Sequence, residues 1–420
     1  MSRESIAETT ETLLKVFAAA VIVAITCASV KAGVYRQMVT HPTVFCLMLD
    51  CFLIHILTNA TRREALVTTG IAAATWLAWP LLTGRNLDWP WDAFATLGCL
   101  LGVSSLFVLT FAAIKMPGAA GRNKLRTLGR GSLFLFMAFW SVPFLKFMDR
   151  IRPEKLDAFL YRFDASFGVQ PSFFMGRVFA ANPSFHNFEF AIYLSLAVPA
   201  ALVYIGHLRH EGKWPLSMLR LLLLNSLIGF ALFAIFPAAG PSFAFPRNYP
   251  FQQIVLPIAA ARPVLFEAFP NAIPSVHIST VLLIWFNSRP WPLARAFALF
   301  FVLLTIVSTL GLGEHYVVDV IVAFPYALGI QGLCTKHAAA KNALLTGSLL
   351  TAGWLLMLRF AQPLFPSAAL AWILMAGSIA LTLWMESKLA GCIFGKKALL
   401  SAQAVPFVAA NNPRAVAPMA

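Results

Sequence analysis

Twelve apolar stretches divide this chain, near 13–30, 43–60, 66–83, 91–114, 131–148, 188–206, 218–236, 274–288, 296–312, 315–334, 344–361 and 368–385, each bounded by charge, proline or glycine. A bilayer core is crossed by about 20 apolar residues of α-helix. Lipid offers the backbone no hydrogen-bonding partner, so runs of this kind close on themselves as helices. The polar/apolar alternation of a membrane barrel is absent. Composition agrees: only 12% of the 420 residues are charged and 59% are hydrophobic, where a soluble domain carries roughly 25% charged residues. The expected fold class is all-α, a polytopic membrane protein of about 12 transmembrane helices. A soluble globular enzyme, a disordered chain and a small disulfide scaffold are excluded. Residues 1–30 read as an uncleaved first span, because Arg3, Glu4, Glu8, Glu11 and Lys15 mix both signs of charge ahead of the apolar run.

The net charge of +15 is read as basic residues on the cytoplasmic side rather than as a nucleic-acid surface, since no nucleic-acid-binding motif is visible. The segment 115–130 carries Lys115, Arg122, Lys124, Arg126 and Arg130 and no acid, which makes it an inner loop. Alternation then places both termini inside. It leaves a basic group on the opposite side, among them Lys146, Arg150, Arg152, Lys155, Arg162 and Arg177. The longest connections, 149–187 and 237–273, also fall on that outer side. The first is expected to lie in the interface as amphipathic helix, with Leu156, Phe159, Leu160, Phe163 and Phe167 at helical spacing. The second is a turn-dense loop. Irregular backbone gathered on one face marks that face as the working one. Three regions are expected: a four-helix membrane region over 1–130, a core over 131–336, and two helices with a disordered tail over 337–420. The six cysteines form no CxxC pair and read as packing residues.

Ionisable groups at membrane depth are costly and so are functional candidates. Here they are Asp50, His55, Glu189, His277, His315 and Asp319. Asp50 and His55 stand five apart and share a helix face poorly. In "FPNAIPSVHIST", Ser275 is placed to cap a helix and His277 to sit one turn in, beside unpaired backbone N–H groups that suit a phosphate. In "STLGLGEHYVVDVIVAFPYA", His315 and Asp319 are four apart and share a face. An aspartate accepting from one imidazole nitrogen leaves the other free and more basic, as nucleophilic catalysis requires. Both histidines fall on the outer side, so one can attack while the other donates a proton, a pair suited to exchange at a P–O bond. The same residues also fit a metal site of His277, His315 and Asp319, although no fourth ligand is visible. They fit two interface histidines beside a helix-stabilising aspartate as well. Tyr316 and Tyr326 read as packing.

The stretch from about 150 to 335 resembles the type 2 phosphatidic acid phosphatase superfamily. It is most similar to the branch of inositol phosphorylceramide synthases, which are inositolphosphotransferases, and their bacterial relatives. Pro274, Ser275 and His277 match the second motif, PSGH, with Val276 at the glycine. Ser308, His315 and Asp319 match the third, SR-x5-H-x3-D, with Thr309 at the arginine. The first motif, K-x6-RP, appears only as Lys146…Arg152-Pro153, one residue short. The resemblance implies a six-helix catalytic core. It implies His315 as the nucleophile that becomes phosphohistidine, His277 as the acid that protonates the leaving oxygen, and Asp319 as the group orienting the nucleophile. Loss of the motif cations is a feature of the sphingolipid phosphotransferase branch. Phosphate charge then needs another offset, for which Ser275, Ser308, Arg150, Arg152, Arg247 and Arg262 are the substrate-binding candidates. The implied partners are a membrane lipid phosphoester and an alcohol or water acceptor, without cofactor, metal or nucleic acid. A lipid phosphatase, a twelve-span transporter and a catalytically silent relative stay open as alternatives.

Overall fold

The computed structural model describes residues 43–84, 91–257, 261–361 and 367–395, together with positions 23, 24, 27, 30 and 31. The expected span at 13–30 lies almost wholly outside the described residues, and the expected C-terminal tail lies outside them. The chain forms two compact units, Met1–Pro153 and Glu154–Ala420.

The described part of the first unit is four helices: α1 (Thr43–Thr58), α2 (Arg62–Thr83), α3 (Trp91–Lys115) and α4 (Gly118–Ile151). α2 begins with a capping box in which Thr61 and Glu64 satisfy each other's backbone N–H. The buried Lys124 amine lies 2.7 Å from Glu64 and 2.6 Å from the Asn59 carbonyl, so the start of α4 is tied to the α1–α2 turn. Asp50 and His55 are both fully buried on α1. No hydrogen bond joins them, and neither side chain has a hydrogen-bond partner among the described residues. Their five-residue spacing puts them on different faces.

The second unit holds β1 (Glu154–Lys155), α5 (Asp157–Ala165), α6 (Pro171–Ala181), α7 (Pro183–Leu194), α8 (Ala197–Leu208), α9 (Met218–Ile235), α10 (Pro241–Ala244), β2 (Val264–Leu265), α11 (Val276–Asn287), α12 (Pro292–Gly311), α13 (Val317–Cys334), α14 (Ala340–Phe360) and α15 (Ala368–Phe394). Prolines at the first turn start α6, α7, α10 and α12, where a missing N–H costs nothing. β1 and β2 pair antiparallel, Glu154 opposite Leu265, and so join the two long connections. Among the described residues the fold is all-α apart from this ribbon and a single bridge between Leu216 and Thr335.

Eight helical segments among the described residues are long and apolar enough to cross a membrane, against about 12 expected. The run at 43–60 forms the 16-residue α1, and 274–288 forms the 12-residue α11. The run at 131–148 is the second half of α4, a 34-residue helix whose first half carries the basic segment expected to be a loop. Lysine and arginine are good helix formers, and Pro117 stands just ahead of the first turn, where backbone N–H groups are unpaired in any case. The connection 149–187 differs too. α5 does have the expected helical spacing, but Leu156, Phe159, Leu160 and Phe163 are buried in the protein rather than laid on an interface. Phe163 meets Trp354 edge-on at 5.4 Å, and Arg359 sits over Phe159 at 4.7 Å. The end of α14 supplies the apolar partner that lipid headgroups were expected to supply.

α13 is the axis of this unit. It is buried along nearly its whole length and is packed by α5, α9, α11, α14 and α15. Its closest neighbour is α14, where a Cβ on Gly347 would lie 2.3 Å from the Gly329 backbone nitrogen. Small residues at such a crossing let two backbones approach. Gly347→Leu is therefore expected to cost about 1–3 kcal/mol through overpacking, read as a lowered unfolding temperature in detergent. Gly353→Leu on the same helix, where nothing lies within 4 Å of the added Cβ, is expected to leave it unchanged. Equal behaviour of the two variants would refute the close crossing.

Candidate active site

The start of α13 is held by its own Asp319 and by two carboxylates of α5. A helix exposes unpaired backbone N–H groups over its first turn. Asp319 takes that of Tyr316 at 2.8 Å, and Asp164 of α5 takes those of Val317 at 2.8 Å and Val318 at 3.3 Å. Asp157, two turns earlier on α5, accepts from the Gly240 N–H at 2.8 Å, the Ala239 N–H at 3.1 Å and the Tyr316 hydroxyl at 3.0 Å. Gly240 has φ +100°, and an added Cβ would lie 2.3 Å from the Glu314 carbonyl, so only glycine lets the 237–240 loop close over the residue before His315.

His315 is thus delivered on a fixed backbone and is 1% exposed. Its Nδ1 lies 2.9 Å from the Ala272 carbonyl and 3.5 Å from Asp319 Oδ2. A carbonyl only accepts, so Nδ1 carries the proton and Nε2 carries the lone pair. The fully buried Ser275 hydroxyl, 3.1 Å away, donates to Nε2. Ser275 also caps α11 by accepting from the Ile278 N–H at 3.3 Å. His277, two residues on, stacks against Tyr193 of α7 with ring centroids 4.1 Å apart and an interplanar angle of 18°. Its Nδ1 is 3.3 Å from the Tyr193 hydroxyl. His277 stands on the first turn of α11, two residues after the Ser275 that bonds His315. A lone-paired, desolvated imidazole nitrogen and a second imidazole near one helix N-terminus can attack an electrophilic phosphorus and exchange a proton with the group that leaves it.

The structure brings His315, Asp319, Ser275 and His277 together. Ser308 turns elsewhere: its hydroxyl donates to the Glu189 carboxylate at 2.5 Å, with the Leu304 and Glu189 carbonyls beside it at 2.9 and 3.1 Å. The Thr309 side chain is buried against its own helix, bonded to the Ile306 carbonyl. Arg247 and Arg262 are exposed on the 237–273 connection. Arg150 ends α4 and Arg152 follows it, both exposed and both in the first unit. Tyr326 bonds to the Asn225 carbonyl, and Tyr316 to Asp157, consistent with packing roles. Among the described residues no group of three or more His, Cys, Asp or Glu side chains is placed to hold a metal ion.

Five participants escaped the sequence reading. The Ala272 carbonyl has no side-chain signature. Asp157 and Asp164 resembled any interfacial acids, although their seven-residue spacing puts them on one face. Tyr193 is four residues after Glu189, which was visible as a shared face. Glu314, beside His315, bonds weakly to Asn271 at 3.5 Å. Burial pushes its carboxyl up, while His315 and Asn271 draw it back.

Burial pushes the Asp157 carboxyl up from 3.8 to about 7, against the pull of the Gly240 and Ala239 N–H groups and the Tyr316 hydroxyl. The folded protein therefore holds this proton more tightly than the unfolded chain does. The resulting stability is fully present below 3.8 and is lost as pH rises to about 7. Asp157→Asn is expected to flatten that decline. Thermal unfolding in detergent from about pH 4 to about pH 8 checks it, and an unchanged slope would count against it.

Residues 158–333, well under half of the chain, match the sequence model of the PAP2 superfamily. Comparison with curated proteins and with solved structures found no match. The family match supports a lipid phosphatase or phosphotransferase kind of function and, with the long apolar helices, a membrane-embedded protein meeting a membrane lipid.

Proposed function

We propose that the protein is a membrane lipid phosphotransferase that passes a phosphoryl headgroup through a phosphohistidine to an alcohol acceptor. The observation that carries this reading is His315: buried, its Nδ1 proton on the Ala272 carbonyl, its Nε2 lone pair met only by the Ser275 hydroxyl. Nε2 displaces that hydroxyl and attacks phosphorus. The P–N bond forms as the P–O bond to the lipid breaks, and His277 gives its proton to the departing oxygen. An acceptor hydroxyl then returns a proton to His277 as its oxygen takes the phosphoryl group from His315. Asp319 and the Ala272 carbonyl orient the ring and stabilise the positive charge it develops. The first turn of α11 supplies backbone N–H groups to phosphate oxygens.

Two features favour an alcohol over water as acceptor. His315 is shielded from solvent, which suppresses hydrolysis of a reactive intermediate. Thr309 stands where the family's phosphatases carry a phosphate-binding arginine. In this reading Arg150, Arg152, Arg247 and Arg262 act at a distance, through long-range attraction of an anionic lipid. The substrate reaches the site from the non-cytoplasmic leaflet.

His315→Ala is expected to lower turnover by at least about a thousandfold, since the covalent route is gone. His277→Ala is expected to lower it by roughly a hundredfold or more for poor leaving groups, and far less for good ones. Purified protein is assayed with labelled phospholipids, with and without candidate alcohols. A new labelled phosphodiester supports transfer, and free phosphate alone would convert the reading to a phosphatase. Near-normal activity of His315→Ala would end both. Turnover is expected to survive EDTA, because both steps use imidazole and backbone groups; loss of activity on chelation, restored by added metal, would overturn that.

A further inference from the structure

The first unit gathers positive charge in one place. Arg62 and Arg63 open α2, and Arg122 and Arg126, four apart in the first half of α4, share a face. Three hydrogen bonds set these stretches side by side. The Lys124 amine reaches Glu64 at 2.7 Å and the Asn59 carbonyl at 2.6 Å, and the Asn59 amide donates to the Thr127 hydroxyl at 3.0 Å. Each arginine therefore stands within two residues of one ion pair along its own helix. That pair is internally neutral. Glu64 is the only acid between residues 51 and 87, and 115–130 holds none. All four arginines are exposed. Like charges held this close oppose folding, and the neighbouring sequence supplies no further acid to offset them.

The surroundings decide which anion fits. Leu66 follows Arg62 by one turn of α2, Val67 follows Arg63 by one turn, and both are exposed. Leu125, 59% exposed, lies three residues after Arg122 on the same face of α4. Past the arginines, α2 runs into a stretch apolar enough to cross a membrane, and α4 runs into the apolar residues 131–148. The cluster thus sits where both helices enter hydrocarbon, at the depth of the phosphates of one leaflet. A free anion would use the charge and leave Leu66, Val67 and Leu125 in water. A phospholipid uses both. All four groups are arginine, whose planar fork takes two oxygens of one phosphate at once.

We infer that Arg62, Arg63, Arg122 and Arg126 form a binding site for an anionic phospholipid in the first unit. The guanidinium groups hold its phosphate oxygens, and its acyl chains lie along Leu66, Val67 and Leu125. Four cations favour a headgroup with two phosphates over a headgroup with one. The site is separate from the reaction proposed at His315 and does not depend on it.

Full-length protein in a neutral detergent is titrated with cardiolipin, phosphatidylglycerol and phosphatidylcholine, and the retained lipid is read by native mass spectrometry. Cardiolipin is expected to be held most tightly, phosphatidylglycerol more weakly and phosphatidylcholine not at all. Arg122→Gln with Arg126→Gln leaves the Lys124–Glu64 pair in place and is expected to weaken cardiolipin binding on the order of thirtyfold. Arg62→Gln with Arg63→Gln is expected to do the same. Arg122→Lys with Arg126→Lys keeps the charge and loses the fork, so an intermediate loss is expected. Lys336→Gln with Lys341→Gln removes equal charge from exposed positions of the second unit and is expected to bind like the parent. Thermal unfolding without lipid is expected to be no lower in the arginine variants, because they relieve repulsion, and this separates lost binding from lost fold. Parent-like binding by both glutamine pairs of the first unit, or equal weakening by the lysine pair, would overturn the site. Displacement of cardiolipin by millimolar inorganic phosphate would also overturn it, by making the ligand a free anion.

Discussion

The start of α13 is where the second unit meets its hardest physical demand. Three successive backbone N–H groups, those of Tyr316, Val317 and Val318, are shut away from bulk water, and unpaired buried donors cost about 1–3 kcal/mol each. Asp319 and Asp164 supply the acceptors, and Asp157 fastens the Tyr316 hydroxyl to the 237–240 loop. His315 is the residue immediately before this clamp. Its ring direction follows from the clamp below it and from the Ala272 carbonyl beside it. Three carboxylates in a lipid-facing fold would be hard to explain as stabilising devices alone, because burying charge opposes folding. They are intelligible as the structure that keeps one imidazole in a fixed place.

The charge around that imidazole bears on which lipids the site accommodates. Glu314 and Asp319 stand beside His315, and the described salt bridges join neither of them to lysine or arginine. The positive elements at hand are the first turn of α11 and whichever histidine is protonated. In the proposed reaction such a site binds phosphate through oriented dipoles rather than through fixed cations, and imidazole charge develops only as the reaction proceeds, which is where binding energy accelerates a reaction.

Much of this was legible in order along the chain. The apolar runs give helices because lipid leaves a backbone no alternative. Ser275 caps α11, because a serine before an apolar run is a local signal read within one turn. The expected pairing of His315 with Asp319 lies at 3.5 Å, but not on a shared helix face, because His315 stands in the turn two residues ahead of α13. The number of spans is where the reading is not confirmed. α11 and α1 are shorter than a bilayer is thick, and the basic segment before residue 131 continues as helix into the apolar run, so eight qualifying segments stand among the described residues. Ser308 shows the limit of motif matching: its position matches, but its hydroxyl is committed to a glutamate 119 residues earlier in the chain.

The sequence by itself determined that the chain is a helical membrane protein and that Ser275 caps α11. Each follows from backbone periodicity or from solvation, and both act over a few residues. Only the tertiary structure decided which nitrogen of His315 is free, that a main-chain carbonyl takes the other, that α5 holds the start of α13, and that Tyr193 covers His277. Those facts depend on the meeting of segments 43 to 159 residues apart, or 84 in the case of Tyr193. A hydrogen bond is specified by sub-ångström geometry that no pattern along the chain encodes.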